Sequence, residues 1–165
     1  MGMAGCFAAV SSDTLKKLRD DPDAIEDYLY PNDGEDEPPN YIDVDKAWHG
    51  IHYLLTGRAE GGTPPLSLAV LGGEEFGPEI GYGPARFLTP AQVAAVSAAL
   101  TALTIDKLRD RFDPEDMEVK DVYPTEIWVR DGDDAFDYLM DNFRQMIVFY
   151  RDAAERGDAA LLWLS

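Results

Sequence analysis

Cys6-Phe7-Ala8-Ala9-Val10 and Ala159-Ala160-Leu161-Leu162-Trp163-Leu164 decide the fold. Both runs are apolar at every position. A strand with one wet face alternates apolar and polar residues, so an unbroken apolar run of this length reads as a strand buried on both faces. Leu66 to Leu71 reads the same way, as a third buried strand. Covering both faces of a sheet takes helices on both sides. The runs therefore predict an α/β fold with a mixed, largely buried sheet.

Working outward from these runs, the apolar spacing becomes helical. Ser11 and Ser12 supply N-cap oxygens ahead of Leu15 and Leu18, one turn apart. Asp21-Pro22 restarts a helix with a carboxylate cap and proline at the first helical position, and Ile25, Tyr28 and Leu29 form its apolar face. Asp43 caps a helix running through Trp48, Ile51, His52 and Leu55 to Gly57, which suits the left-handed position after a helix end. Thr89-Pro90 opens a helix to Ala102 with Val93, Val96 and Leu100 on one face. Thr104 caps the next, with Ile105, Leu108 and Phe112 inward, closed by Asp113-Pro114. From Ala135 to Glu155, Leu139, Phe143, Met146, Ile147, Tyr150 and Ala154 share a stripe, and Gly157 ends the helix.

The remaining segments read as connections. Pro31 to Pro39 is an acidic, solvated loop that buries nothing. Arg58 to Pro65 is a Gly/Pro linker too close to paired elements to divide the chain, so one domain spans residues 1–165. Gly72 to Gly83 is glycine-rich and carries Glu74 and Glu75. Glu118 to Tyr123 and Glu126 to Val129 read as short strands around Pro124.

The charge excludes whole classes of partner. Thirty-two acidic residues against fourteen Lys and Arg give −18 at pH 7. Such a surface repels phosphate backbones and anionic headgroups, which argues against nucleic acid and membrane surfaces; it serves solubility or reflects a general acidic bias, or else it attracts a basic partner or a cation. No apolar run approaches the roughly 20 residues of a membrane span. Cys6 is the single cysteine, so the chain has no internal disulfide and suits a reducing, cytoplasmic compartment. Met3-Ala4-Gly5-Cys6 lacks the charged and apolar regions of a lipoprotein leader, and Met1-Gly2 lacks the Ser or Thr of a myristoylation signal.

Three groupings bear on chemistry. His49 and His52 stand three residues apart on one helix, with Asp45 four residues before His49; they are the candidate metal ligands. The spacing departs from the zincin pattern, and no metal or other cofactor is expected. Cys6 lies in an apolar strand that keeps its thiol inert. Gly81-Tyr82-Gly83-Pro84-Ala85-Arg86 reads either as a structural turn before a strand, with Arg86 paired to one of the chain's many carboxylates, or as a sharply bent backbone that presents Tyr82, with Arg86 able to hold a ligand's carboxylate or phosphate. The glycine spacing matches neither a dinucleotide fingerprint nor a phosphate loop, and no Gly-x-Ser-x-Gly elbow occurs.

Met1-Gly2-Met3, the run from Asp45-Lys46-Ala47-Trp48 through His52 to Gly57, Gly81-Tyr82-Gly83-Pro84-Ala85-Arg86 and Tyr123-Pro124 occur in that order. Together they resemble the YfbM-like family of small bacterial proteins, a domain family of unknown function. The resemblance spans nearly the whole chain. It implies a three-layer α/β/α sandwich and brings no established activity, so no catalytic residue carries over.

The leading expectation is a non-catalytic binding protein, an acidic inhibitor-like or regulatory partner of a basic protein. The alternative is a small-molecule-binding or enzymatic domain with a cleft between the Trp48–His52 helix and the Gly81–Arg86 loop. Its candidate residues are Asp45, Lys46, Trp48, His52, Tyr82, Arg86 and Tyr123, with Gly81, Gly83 and Pro84 shaping the loop.

Overall fold

The two apolar runs lie side by side. In the computed structural model, which describes residues 2–165, β1 (Gly5–Val10) and β5 (Ala159–Leu164) pair antiparallel from Gly5 opposite Leu164 to Val10 opposite Ala159. Met1, part of the opening motif, lies outside the described residues. Alternate side chains leave opposite faces of a strand. Phe7, Ala9, Ala160 and Leu162 join one apolar cluster, while Cys6, Ala8, Val10, Ala159, Leu161 and Trp163 join a second.

Among the described residues the sheet has the order β2-β1-β5-β4-β3, adding β2 (Tyr41–Asp43), β3 (Glu74–Glu79) and β4 (Pro84–Leu88). Its first face is covered by α4 (Trp48–Thr56), α5 (Pro90–Thr101) and the long α9 (Asp133–Arg156). Leu15 and Leu18 of α1 (Ser12–Asp20) and Ile25 and Leu29 of α2 (Ile25–Leu29) cover the second. The short turn α3 (Pro31–Gly34) and the helices α6 (Ile105–Arg111), α7 (Pro114–Val119) and α8 (Ile127–Asp131) complete the chain. Among the described residues, no single helix is long and apolar enough to cross a membrane.

Several ends are set as their residue types dictate. The Ser11 side chain accepts from Thr14 N–H, and Thr89 and Gln92 form a reciprocal capping box at α5. Gly57 and Gly157 take left-handed φ at 73° and 71° after α4 and α9. Tyr150 of α9 donates its buried hydroxyl to Ala69 O at 2.6 Å, which ties the connection after α4 to the core.

The structure corrects other expectations. Every strand pair is antiparallel, so the sheet is not mixed. Unbroken apolar runs report burial on two faces and carry no information on strand direction. Leu66–Leu71 is not a strand: Leu66–Leu68 is a 3₁₀ turn, and its apolar side chains cap the core next to α4 and α5. Glu118–Tyr123 and Glu126–Val129 belong to α7, a turn and α8, because Asp113, just past the end of α6, also caps a further helix, α7, through Asp116 N–H. The Gly72–Gly83 stretch contains β3, an edge strand too exposed to show an apolar signal. Pro38 is buried within the acidic loop. Asp21 makes no side-chain cap bond, and Ile105 is 38% exposed.

Gly50 sets the spacing of α4 against its neighbours. A Cβ there would stand 2.6 Å from both Leu139 of α9 and Trp128 of α8. Trp128 is fully buried, with its indole N–H donating to Val122 O, so it has little room to yield. Gly50→Ala is expected to destabilise the fold by about 1–3 kcal/mol through overpacking. Urea unfolding of the variant measures this, and an unchanged midpoint would show that the α4–α9 contact is loose.

Candidate functional site

The sequence-derived candidates separate into two groups on α4 and its surroundings. Trp48, at the start of the helix, donates its indole N–H to Met3 O at 2.9 Å. Its ring stacks on His49, with centroids 4.7 Å apart and planes 4° from parallel, and on Tyr123 at 5.6 Å. The Tyr123 hydroxyl accepts from Met3 N–H at 2.9 Å. Gly2 lies so close to Lys46 and to the Tyr123 hydroxyl that a side chain there would collide with both. Asp45 accepts from the Tyr138 hydroxyl at 2.6 Å, and Lys46 N–H donates to that same oxygen at 3.1 Å. Asp45, Lys46, Trp48 and Tyr123 thus form an aromatic clamp that fixes the segment entering β1 and docks the start of α4 on α9.

The histidines are pinned to the backbone. Tyr123 N–H donates to His49 Nδ1 at 2.8 Å, so Nδ1 carries no proton and Nε2 donates to Ala59 O at 2.8 Å. Both nitrogens are committed. His52 Nε2 faces Gly61 O at 3.0 Å and must donate to it. His52 Nδ1 is buried without a hydrogen-bond partner. Asp45 is spent on Tyr138, so the three proposed metal ligands do not converge, and among the described residues no group of three or more His, Cys, Asp or Glu is placed to hold a metal. The pair works instead as two pins that hold residues 59–61 against α4.

The pinned loop forms one wall of a cleft. Glu60 and Gly61 face Glu75 of β3, Tyr82, Gly83, Pro84 and Arg86 of the β3–β4 hairpin, and Leu71 and Leu164, around about 330 Å³. Gly81 has φ of 57°, and a Cβ there would meet Leu164 O at 2.5 Å, so glycine lets the hairpin tip approach the end of β5. Tyr82 N–H donates to that same carbonyl at 3.1 Å, leaving the ring 54% exposed at the mouth.

Arg86 is the cation of this cleft. Its Nη1 donates to Val70 O at 3.0 Å and Gly72 O at 2.8 Å. Burial lowers its pKa from the ordinary value, opposed by Tyr150 and Glu75. The guanidinium in turn adds to the forces that keep His52 neutral. Burial is the larger of these, and together they lower the His52 pKa to about 4. His52 is therefore coupled to the cleft through both Gly61 and Arg86. Glu60, Gly61, Glu75, Leu71 and Leu164 were missed as cleft residues; their only sequence signals are a glycine pair and two glutamates in a glycine-rich stretch.

Other chemistry is quiet. Burial pushes the Cys6 thiol up to about 11, so it stays protonated in its strand. A larger groove of about 440 Å³ runs between Tyr41 and Ile42 of β2 and Val148 and Phe149 of α9. Its arginines are already matched, Arg144 to Asp141 and Arg156 to Asp158, and it contains none of the candidate residues. We therefore centre the site on the Arg86 cleft.

The low His52 pKa fixes a pH dependence. An unfolded histidine binds a proton near pH 6.5, whereas folded His52 refuses it until about pH 4. Its contribution to stability is complete above pH 6.5 and is lost as the pH falls towards 4. His52→Gln, which keeps a donor for Gly61, should show a shallower loss of unfolding free energy between these values than the wild type. Equal slopes would mean that His52 takes up its proton equally in both states.

No curated protein matches the chain. A solved structure from Escherichia coli, described as the crystal structure of YfbM, a protein of unknown function, is similar with a TM-score of 0.78 and 26% identity, covering 98% of this chain and 99% of that one. A family model described as a domain of unknown function, DUF1877, matches residues 1–163, and the chain belongs to that family.

Proposed function

We propose that this chain is a non-catalytic binding protein whose recognition site is the cleft between residues 60–61, β3 and the Gly81–Arg86 hairpin. The observation that carries the reading is Arg86: a half-buried guanidinium, anchored on two carbonyls, that lines an open cavity and makes no ion pair with a carboxylate among the described residues. Binding sites of this kind are concave, mostly apolar and carry a few placed polar groups. Two groups suited to attack or proton transfer are held elsewhere: Cys6 stays protonated in the sheet, and His49 has both nitrogens bonded to backbone. Clusters on both faces of the sheet support a three-layer α/β/α sandwich as one domain, 1–165. The lone buried thiol supports a cytoplasmic setting, and the YfbM likeness supports a bacterial one.

A second reading rests on the acidic surface. Glu74, Glu75 and Glu79 stand exposed along β3, the edge strand of the sheet, in a chain of net charge −18. A basic protein docking there would be steered by the field and released by salt. A pull-down that recovers no basic protein at low ionic strength would count against this partner.

The cleft itself is tested by NMR with a chemically broad set of small fragments. Shifted amides should gather at Gly61, Tyr82, Gly83 and Arg86. Shifts confined to the Tyr41–Val148 groove, or none at all, would remove the cleft as the site.

A further inference from the structure

We infer that the cleft takes a small zwitterion, a free α-amino acid in the simplest case, with Arg86 holding its carboxylate and Glu75 and Glu60 its ammonium group. This rests on the cleft being the binding site. The observation that carries it is a pair of opposite charges that face each other without closing. Glu75 and Arg86 are register partners across the β3–β4 ladder. Directly opposed side chains on antiparallel strands sit roughly 5 Å apart at Cβ, within reach of an ion pair. Here Arg86 turns Nη1 onto Val70 O and Gly72 O instead. Neither Glu75 nor Glu60 has an ion-pair partner among the described residues, and both line the same cavity as Arg86.

Charge selects the ligand class. A simple anion reaching Arg86 is repelled by the two glutamates. A simple cation reaching the glutamates is repelled by Arg86. A molecule with both signs a few bonds apart is attracted at both ends and completes the pair that the protein leaves open. About 330 Å³ admits an amino acid, and Leu71, Pro84 and Leu164 offer an apolar wall to its side chain, with Tyr82 at the mouth.

The test uses ¹⁵N-labelled full-length protein titrated with L-leucine, L-phenylalanine and L-glutamine, each alongside its carboxamide and its N-acetyl derivative. At least one free amino acid should shift the Gly61, Gly83 and Arg86 amides. Its carboxamide, lacking the carboxylate, and its N-acetyl form, lacking the ammonium group, should each bind about tenfold or more weakly, as expected for loss of one charged hydrogen-bonded contact. Glu75→Gln, at an exposed position that leaves the fold intact, should weaken the free amino acid about tenfold and bind the N-acetyl form, an anion relieved of one repelling carboxylate, at least as well as the wild type does. An N-acetyl form that binds as tightly as its parent overturns the zwitterion and leaves an anion site in the cleft. Cleft shifts with other fragments but with no amino acid also overturn it while the cleft stands. Silence from both sets removes the cleft together with its ligand class.

Discussion

The pairing of β1 with β5 is the contact on which the rest of the molecule depends. Six residues of each strand are aligned, and all but Leu164 are buried. Because the side chains alternate between faces, this one ladder supplies the floor of both apolar clusters. Each cluster then demands its own helices: α4, α5 and α9 on one side, α1 and α2 on the other. The cleft is built at the edge of this arrangement. It borrows Leu164 from the end of β5 and fastens the β3–β4 hairpin to it through Tyr82 N–H.

The candidate residues show how one helix serves two ends of the molecule. Trp48 and His49 face the entering segment and the turn before α8, while His52, one turn later, faces the loop at Gly61. The clamp is made of stacked rings and backbone bonds, the chemistry of a fixed joint. The cleft is made of groups with unspent capacity: a guanidinium with no ion pair among the described residues, two glutamates and an exposed tyrosine. The same family-like motifs thus divide into residues that hold and residues that face solvent.

What could be read beforehand follows from where burial leaves a mark. The core strands, the caps at Ser11, Thr89 and Thr104, and the glycine ends at Gly57 and Gly157 are local features, set by residue type and spacing. The Gly81–Arg86 segment stood out for the same reason: glycines around an aromatic announce a bent backbone. Strand direction did not, because an apolar run is the same sequence in either orientation. Leu66–Leu71 misled because core-capping turns are as apolar as strands. β3 was invisible because all its side chains but Phe76 face water, and its partnership with Arg86 exists only once the hairpin has formed. The separation of Asp45 from the histidines was equally out of reach, since Tyr138 lies 93 positions away in sequence.

The two histidine pins have an evolutionary consequence. They grip the loop by the carbonyls of Ala59 and Gly61, and a carbonyl is present whatever side chain its residue bears. Glu60 sits between the pins, exposed and bonded to neither. The scaffold therefore holds its position in space while leaving its identity open to drift. Relatives sharing the pins are free to exchange that one side chain, and with it the charge of the cleft wall, without redesigning the fold beneath.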